Sequence, residues 1–151
     1  MSIKDRLTED MKLAMKEKEA GKFRLSVIRM VRASIKNVEI DRKKELADDE
    51  VLDIIAKEVK LRRDAAEEFS RGNRQDLADN VQREAAILMD YLPAQLSEAE
   101  IRALVSAAVT QVGAASVKDM GKVMAVLMPQ TKGRADGKLV NLIVKELLTS
   151  E

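Results

Sequence analysis

An all-α fold is expected from three features of this 151-residue sequence. Apolar residues recur at three- and four-residue spacing in nearly every segment, the pattern of helices with one buried face. Only two prolines and six glycines interrupt the chain. No stretch carries the alternation and turn residues of a hairpin. The expected architecture is multihelical: a four-helix N-terminal subdomain at 1–93, then a three-helix C-terminal subdomain at 94–151.

Taken in order, Ser2 is a candidate N-cap for a first helix carrying Ile3, Leu7, Met11, Ala14 and Met15 on one face. That helix is expected to end at Ala20-Gly21, with Gly21 as a left-handed C′ residue. A second helix, about residues 22–44, carries Leu25, Ile28, Val31, Ile35 and Val38. Eight basic residues against two acidic ones make this segment strongly positive. Arg29, Arg32 and Lys36 fall at i, i+3 and i+7 and share a face. That face can track phosphates. Alternatively it is solvated, or it meets the 13 acidic residues of 45–90, where only seven are basic.

Asp48-Asp49-Glu50 opens a third helix, where acidic side chains suit the positive end of the dipole. With Asp53 these carboxylates could instead gather a cation, but a hard-cation loop needs turn glycines and alternating oxygen ligands. Leu52, Ile55, Val59, Ala66 and Phe69 form the core face, and Arg71-Gly72-Asn73 ends the helix. The fourth helix bears Leu77, Val81, Ala85, Leu88 and Leu92, with Pro93 as its stop. Tyr91 is expected half-buried there, its hydroxyl in water.

Pro93 to Leu96 is the best boundary between subdomains. Ser97 and Glu100 then form a capping box, with Leu96 and Ile101 placed as a hydrophobic staple. The fifth helix carries Ile101, Leu104, Val105, Ala108 and Val112, and Gly113 ends it. A second cap, Ser116 to Asp119, opens a sixth helix with Val117, Met120, Val123, Met124 and Leu127 on its face and Pro129 as its stop. Met120, Met124 and Met128 repeat at helical spacing, which is read as core. Val140, Ile143, Val144 and Leu147 mark a seventh helix capped by Asp136.

Composition excludes several functions. There is no cysteine and no histidine, so thiolate zinc sites, cysteine nucleophiles and the usual general base are absent. No apolar run approaches the roughly 20 residues of a membrane span. The first residues are charged and lack a signal-peptide core, so a cytoplasmic location is expected. A formal charge of +1 creates no global field for nucleic acid. Phe23, Phe69 and Tyr91 are too few for a base-stacking platform. No metal, cofactor or catalytic residue is assigned. No low-complexity tract or internal repeat is present.

Between the last two helices lies Lys132-Gly133-Arg134-Ala135-Asp136-Gly137-Lys138. Lys132, Arg134 and Lys138 gather at a helix N-terminus, where backbone N–H groups favour an anion. The same residues also describe a tight structural turn, with Gly133 supplying backbone freedom and Asp136 the cap.

This stretch resembles the C-terminal signature of the YqeY family, which is related to the tail domain of the B subunit of tRNA-dependent amidotransferases. The matching pieces are Met120-Gly121-Lys122-Val123-Met124, Gly133-Arg134-Ala135-Asp136-Gly137 and Val144-Lys145-Glu146-Leu147-Leu148. Asp90-Tyr91-Leu92-Pro93 and the segment 25–40 extend the resemblance over nearly the whole chain. A Gly-Arg-x-Asp-Leu pattern of the family stands here as Gly72-Asn73-Arg74-Gln75-Asp76-Leu77, one residue longer between Gly and Arg. The resemblance implies a non-catalytic, tRNA-associated module that acts through phosphate contacts and shape. Its candidate contacts are Lys132, Gly133, Arg134, Lys138 and Lys122, with Arg29, Arg32 and Lys36 as a secondary basic face.

A protein–protein adaptor on the translation or tRNA-modification machinery is the alternative. An amidotransferase activity, carried over from the larger homologue, lacks its parts here. Without cysteine or histidine only a Ser–Lys nucleophile remains. The eight serines (Ser2, Ser26, Ser34, Ser70, Ser97, Ser106, Ser116 and Ser150) are scattered along the expected helices or at their ends. The glycine loop has neither P-loop spacing nor a preceding strand.

Overall fold

Apolar stripes of helical period produce seven α-helices in the computed structural model, which describes residues 1–149. They are α1 (Ile3–Lys16), α2 (Lys22–Arg42), α3 (Asp48–Arg71), α4 (Gln75–Met89), α5 (Glu98–Val112), α6 (Met120–Thr131) and α7 (Gly137–Thr149). Short 3-10 turns, Lys18–Gly21 and Val117–Asp119, precede α2 and α6. No strand occurs among the described residues, and Ser150 and Glu151 lie outside them. The chain divides into two compact units, Met1–Leu92 and a second from Pro93 onward.

In the first unit Leu7 of α1, Ile28, Val31 and Ile35 of α2, Val51, Ile55 and Val59 of α3, and Ala85 and Leu88 of α4 form the core. Val51 takes the buried position beside half-buried Leu52, and Val27 joins Ile28. Met15 is half exposed at 50% and lies off the buried face of α1. Ser2 caps α1 by accepting from the Asp5 N–H at 3.1 Å, and the Asp5 carboxylate returns to the Ser2 N–H.

The end of α1 differs from expectation. The helix stops at Lys16, and Gly21 has φ −95°, so it is not a left-handed cap. Lys18 takes the left-handed position instead, at φ 52°. Gly21 serves close approach: a Cβ there would lie 2.2 Å from the Ala14 carbonyl oxygen. Two of the acids that open α3 are spent on structure. Asp48 accepts from the Ile3 N–H, and Glu50 accepts from the Ala47 N–H and pairs with Arg42 and Lys44. At the far end of α3, Asn73 rather than Gly72 adopts the left-handed turn, at φ 60°. Arg74 is held to Asp76 by two hydrogen bonds of 3.2 and 3.1 Å.

Helix α4 ends at Met89, four residues before Pro93, because the chain turns to bury Tyr91. Tyr91 is only 4% exposed, and its hydroxyl donates to the Asp10 carboxylate rather than to water. The Arg6 guanidinium sits 4.9 Å from the ring centroid and donates to the Asp90 carbonyl. Burial, with help from the Asp10 hydrogen bond, pushes the Tyr91 hydroxyl above its ordinary value of 10.0.

The second unit packs Ile101, Val105 and Ala108 of α5 against Val123 and Leu127 of α6 and Val140, Ile143, Val144 and Leu148 of α7. Leu148 is buried where Leu147 is half-buried. Ser97 accepts from the Glu100 N–H at 3.1 Å, and Gly113 ends α5 in the left-handed region at φ 67°. Pro129 does not stop α6. Its ring removes one backbone bond, yet Lys132 N–H still reaches the Met128 carbonyl and the Thr131 hydroxyl reaches that of Leu127, each at 3.0 Å. Met128 is 56% exposed, so the methionine series leaves the core at its last member.

Two outcomes follow from these contacts. Gly21→Ala forces α1 and α2 apart and is expected to destabilise the protein by about 1–3 kcal/mol, the usual range for overpacking, measured by urea denaturation. Tyr91→Phe is expected to lose about 1–2 kcal/mol at neutral pH by leaving Asp10 without its donor. Because the phenol titrates higher when folded, its contribution is full below the unfolded value near 10 and is lost as pH rises from there through the higher folded value. The gap between parent and variant should therefore narrow above about pH 10 in the same measurement.

Candidate functional site

The loop between α6 and α7 is built from backbone geometry that the sequence prescribes. The Thr131 carbonyl accepts from both Arg134 N–H and Ala135 N–H, at 2.9 and 3.0 Å. Closing that turn requires Gly133 at φ 71°. Asp136 then caps α7: its carboxylate accepts from Lys138 N–H at 3.0 Å and its carbonyl from Val140 N–H at 3.1 Å. The segment following Pro93 pins the loop from outside. Gln95 donates its side-chain amide to the Gly133 carbonyl at 2.8 Å, and Leu96 N–H donates to the Arg134 carbonyl at 2.8 Å.

Lys132, Arg134 and Lys138 therefore share one end of α7, with Lys132 and Lys138 exposed and Arg134 half-buried. Arg134 has a structural contact as well, its Nε lying 3.5 Å from the Ala94 carbonyl. The Asp136 carboxylate already occupies part of this helix terminus, so an incoming anion sits beside it and relies on the flanking cations. Lys122 is not part of the cluster. It lies near the start of α6, ten residues before Lys132, about 15 Å away at 1.5 Å per residue. There it lowers the Asp119 carboxyl only as a secondary influence, behind the Ala115 and Ser116 N–H groups.

The secondary basic face is arranged differently from a row that cancels against the next helix. Arg29, Arg32 and Lys36 line a groove of about 490 Å³ whose other side is Lys4 and Thr8 of α1. Four acids of α3 and α4 have other partners. Glu58 and Glu84 hold the buried Arg62 at 2.6 and 3.2 Å, while Glu67 and Glu68 meet Arg71. Cancellation does occur at the end of α2, where Arg42 and Lys44 share Glu50. Inside the groove, Glu39 accepts from Lys4 at 2.6 Å and from the Leu46 N–H at 2.9 Å. These two bonds, Lys4 first, hold the Glu39 carboxyl below its ordinary range, and the same pairing raises Lys4.

Lys4 and Thr8 were not legible as groove residues. They share a face at i, i+4, but only the packing of α1 on α2 brings them opposite Arg29 to Lys36. Among the described residues, no group of three or more histidine, cysteine or acidic side chains is placed to hold a metal ion. No helix among them is long and apolar enough to cross a membrane.

Two apolar cores enclosed by helices, with cations at one helix terminus and along one groove, define a small multihelical protein. The model of the family described as Yqey-like protein matches residues 4–148, and the chain belongs to the YqeY family. Among curated proteins it is similar to "Altered inheritance of mitochondria protein 41, mitochondrial" of Lachancea thermotolerans, 39% identical over 109 residues, covering 70% of this chain and 57% of that protein. The protein of the same name from Kluyveromyces lactis is 40% identical over 86 residues, covering 56% of this chain and 45% of its own length. The chain thus spans about half the length of these relatives.

The loop makes a checkable statement about Gly133. Replacement by alanine puts a Cβ at φ 71° and is expected to cost about 1–2 kcal/mol. Asparagine, which tolerates the left-handed region, should cost less. Thermal unfolding of both variants would show whether backbone freedom is what this position requires.

Proposed function

We propose that this protein is a non-catalytic RNA-binding module that contacts tRNA through its phosphates. Lys132, Arg134 and Lys138 supply the charge, and Gly133 lets the backbone approach. One observation carries the reading. The loop is held by Gln95 and Leu96 from outside and by Thr131 and Asp136 from within. Its cations are thus assembled around the α7 terminus before any ligand arrives, and binding need not order them. The family's relationship to the tail domain of tRNA-dependent amidotransferases supports tRNA as the partner. The cytoplasm is proposed as the compartment, although the two relatives carry "mitochondrial" in their names. No amidotransferase chemistry is assigned, since the chain has neither cysteine nor histidine.

A protein adaptor is the second reading. Met128 of α6 and Leu142 of α7 are exposed, at 56% and 63%, and would be the apolar contacts such a partner could use.

Filter binding of tRNA across a salt series separates the two. Three neutralised phosphates give a slope of log K on log salt of about −2 to −3, at roughly 0.7–0.9 per contact. Lys132→Ala and Lys138→Ala should each reduce the slope by about one contact without changing preference among tRNAs. Arg134→Ala should do the same with some loss of stability, because Arg134 also meets Ala94. Absence of tRNA binding at low salt would transfer the assignment to the adaptor.

A further inference from the structure

The groove between α1 and α2 has a different character, and we propose that it is a separate site for a small organic polyphosphate. Arg29, Arg32 and Lys36 form one wall, spread over about 10 Å of α2 at 1.5 Å per residue. Lys4 and Thr8 of α1 face them. Two carboxylates, Glu39 and Glu45, stand against these four cations, both toward one end. Glu39 is already committed to Lys4 and the Leu46 N–H.

Among the described residues, the three cations of α2 share one groove without a carboxylate bonded to any of them. Arg62, Arg71 and Arg74 all meet carboxylates. Arg29 and Lys36 make no hydrogen bond or ion pair among the described residues, and the hydrogen bond of Arg32 goes to the Met11 sulfur, a weak acceptor. Three positive groups held on one face repel each other, and an anion lying along them removes that repulsion.

Size and lining choose the ligand class. A volume of about 490 Å³ falls within the range of small-molecule sites. The floor is aliphatic, from buried Leu7 and Ile35, and no aromatic ring lines the groove, so recognition falls on phosphoryl groups rather than on a base. A row of about 10 Å accommodates two or three linked phosphoryl groups. A continuous nucleic-acid strand would run on past Lys36 to meet Glu39 and Glu45, which repel it. The ligand that fits is a compact di- or triphosphate, such as a nucleotide. This inference does not rest on the tRNA reading, which uses a different unit.

Calorimetric titration of the full chain with inorganic tripolyphosphate, ATP and AMP, without divalent cations, tests it. Saturable binding of one tripolyphosphate or ATP per chain is expected, with AMP weaker by about tenfold or more. Arg29→Gln combined with Lys36→Gln should weaken tripolyphosphate by a similar factor while the helical circular dichroism is unchanged, since both side chains are exposed. Lys60→Gln, an exposed cation of α3 outside the groove, should leave it unaffected. Lack of saturation at millimolar ligand, or affinity indifferent to the Arg29/Lys36 pair, would overturn the proposal. So would tRNA that displaces tripolyphosphate and loses affinity with the same pair, since the groove would then serve an RNA backbone. Loss of tRNA binding through Lys132 and Lys138 alone speaks only to the other site.

Discussion

The backbone approach of Gly21 to Ala14 is the constraint on which the first unit turns. A 14-residue helix such as α1 is marginal by itself and depends on what it packs against. Gly21 allows the start of α2 to lie on the α1 backbone. From that placement Leu7 reaches the core, Asp10 meets Tyr91, Lys4 meets Glu39 and the Ile3 N–H meets Asp48. Four contacts along the length of α1 thus share one origin. The same placement makes α1 the second wall of the basic groove.

Charge is sorted as strictly as apolar surface. The deepest cation, Arg62, is 7% exposed and is surrounded by Glu58, Glu84 and the Glu58 carbonyl. Withdrawing a charge from water is costly unless its donors are met, and among the described residues no buried polar side-chain atom lacks a partner. Glu58 and Glu84 of α3 and α4 serve Arg62, and Glu67 and Glu68 serve Arg71, so these four acids do not neutralise the basic row of α2. Local neutrality in one part of the bundle therefore leaves positive charge in another, on a chain whose total is only +1.

Legibility followed the range of the interaction. Ser2, Ser97, Gly113 and Asp136 act on neighbours within a few residues, so their caps and turns could be read from spacing alone. Gly21 could not be, because a glycine after a helix is ordinarily a left-handed stop, whereas its reason here is an atom of Ala14. Tyr91 looked amphipathic until its partner, Asp10, arrived from 81 residues away. Pro129 suggested a stop, yet in a last turn few backbone bonds remain for it to break. In the candidate loop, spacing revealed the cap and the cations but not the outside support from Gln95 and Leu96. Lys122 belonged to a matching motif, but proximity along a motif does not make proximity in space when a helix intervenes.

The distribution of rings has a practical outcome. Phe23, Phe69 and Tyr91 all lie in the first unit, where Arg83 covers Phe23 at 4.1 Å and Arg6 covers Tyr91. The second unit contains no aromatic residue. Tyrosine emission and near-ultraviolet dichroism consequently report the folding of residues 1–92 and are blind to the rest. Far-ultraviolet dichroism sees both units, through their helices. Comparing the two signals in one melting experiment separates the unfolding of each unit without a label, using the chain's own single tyrosine as the marker.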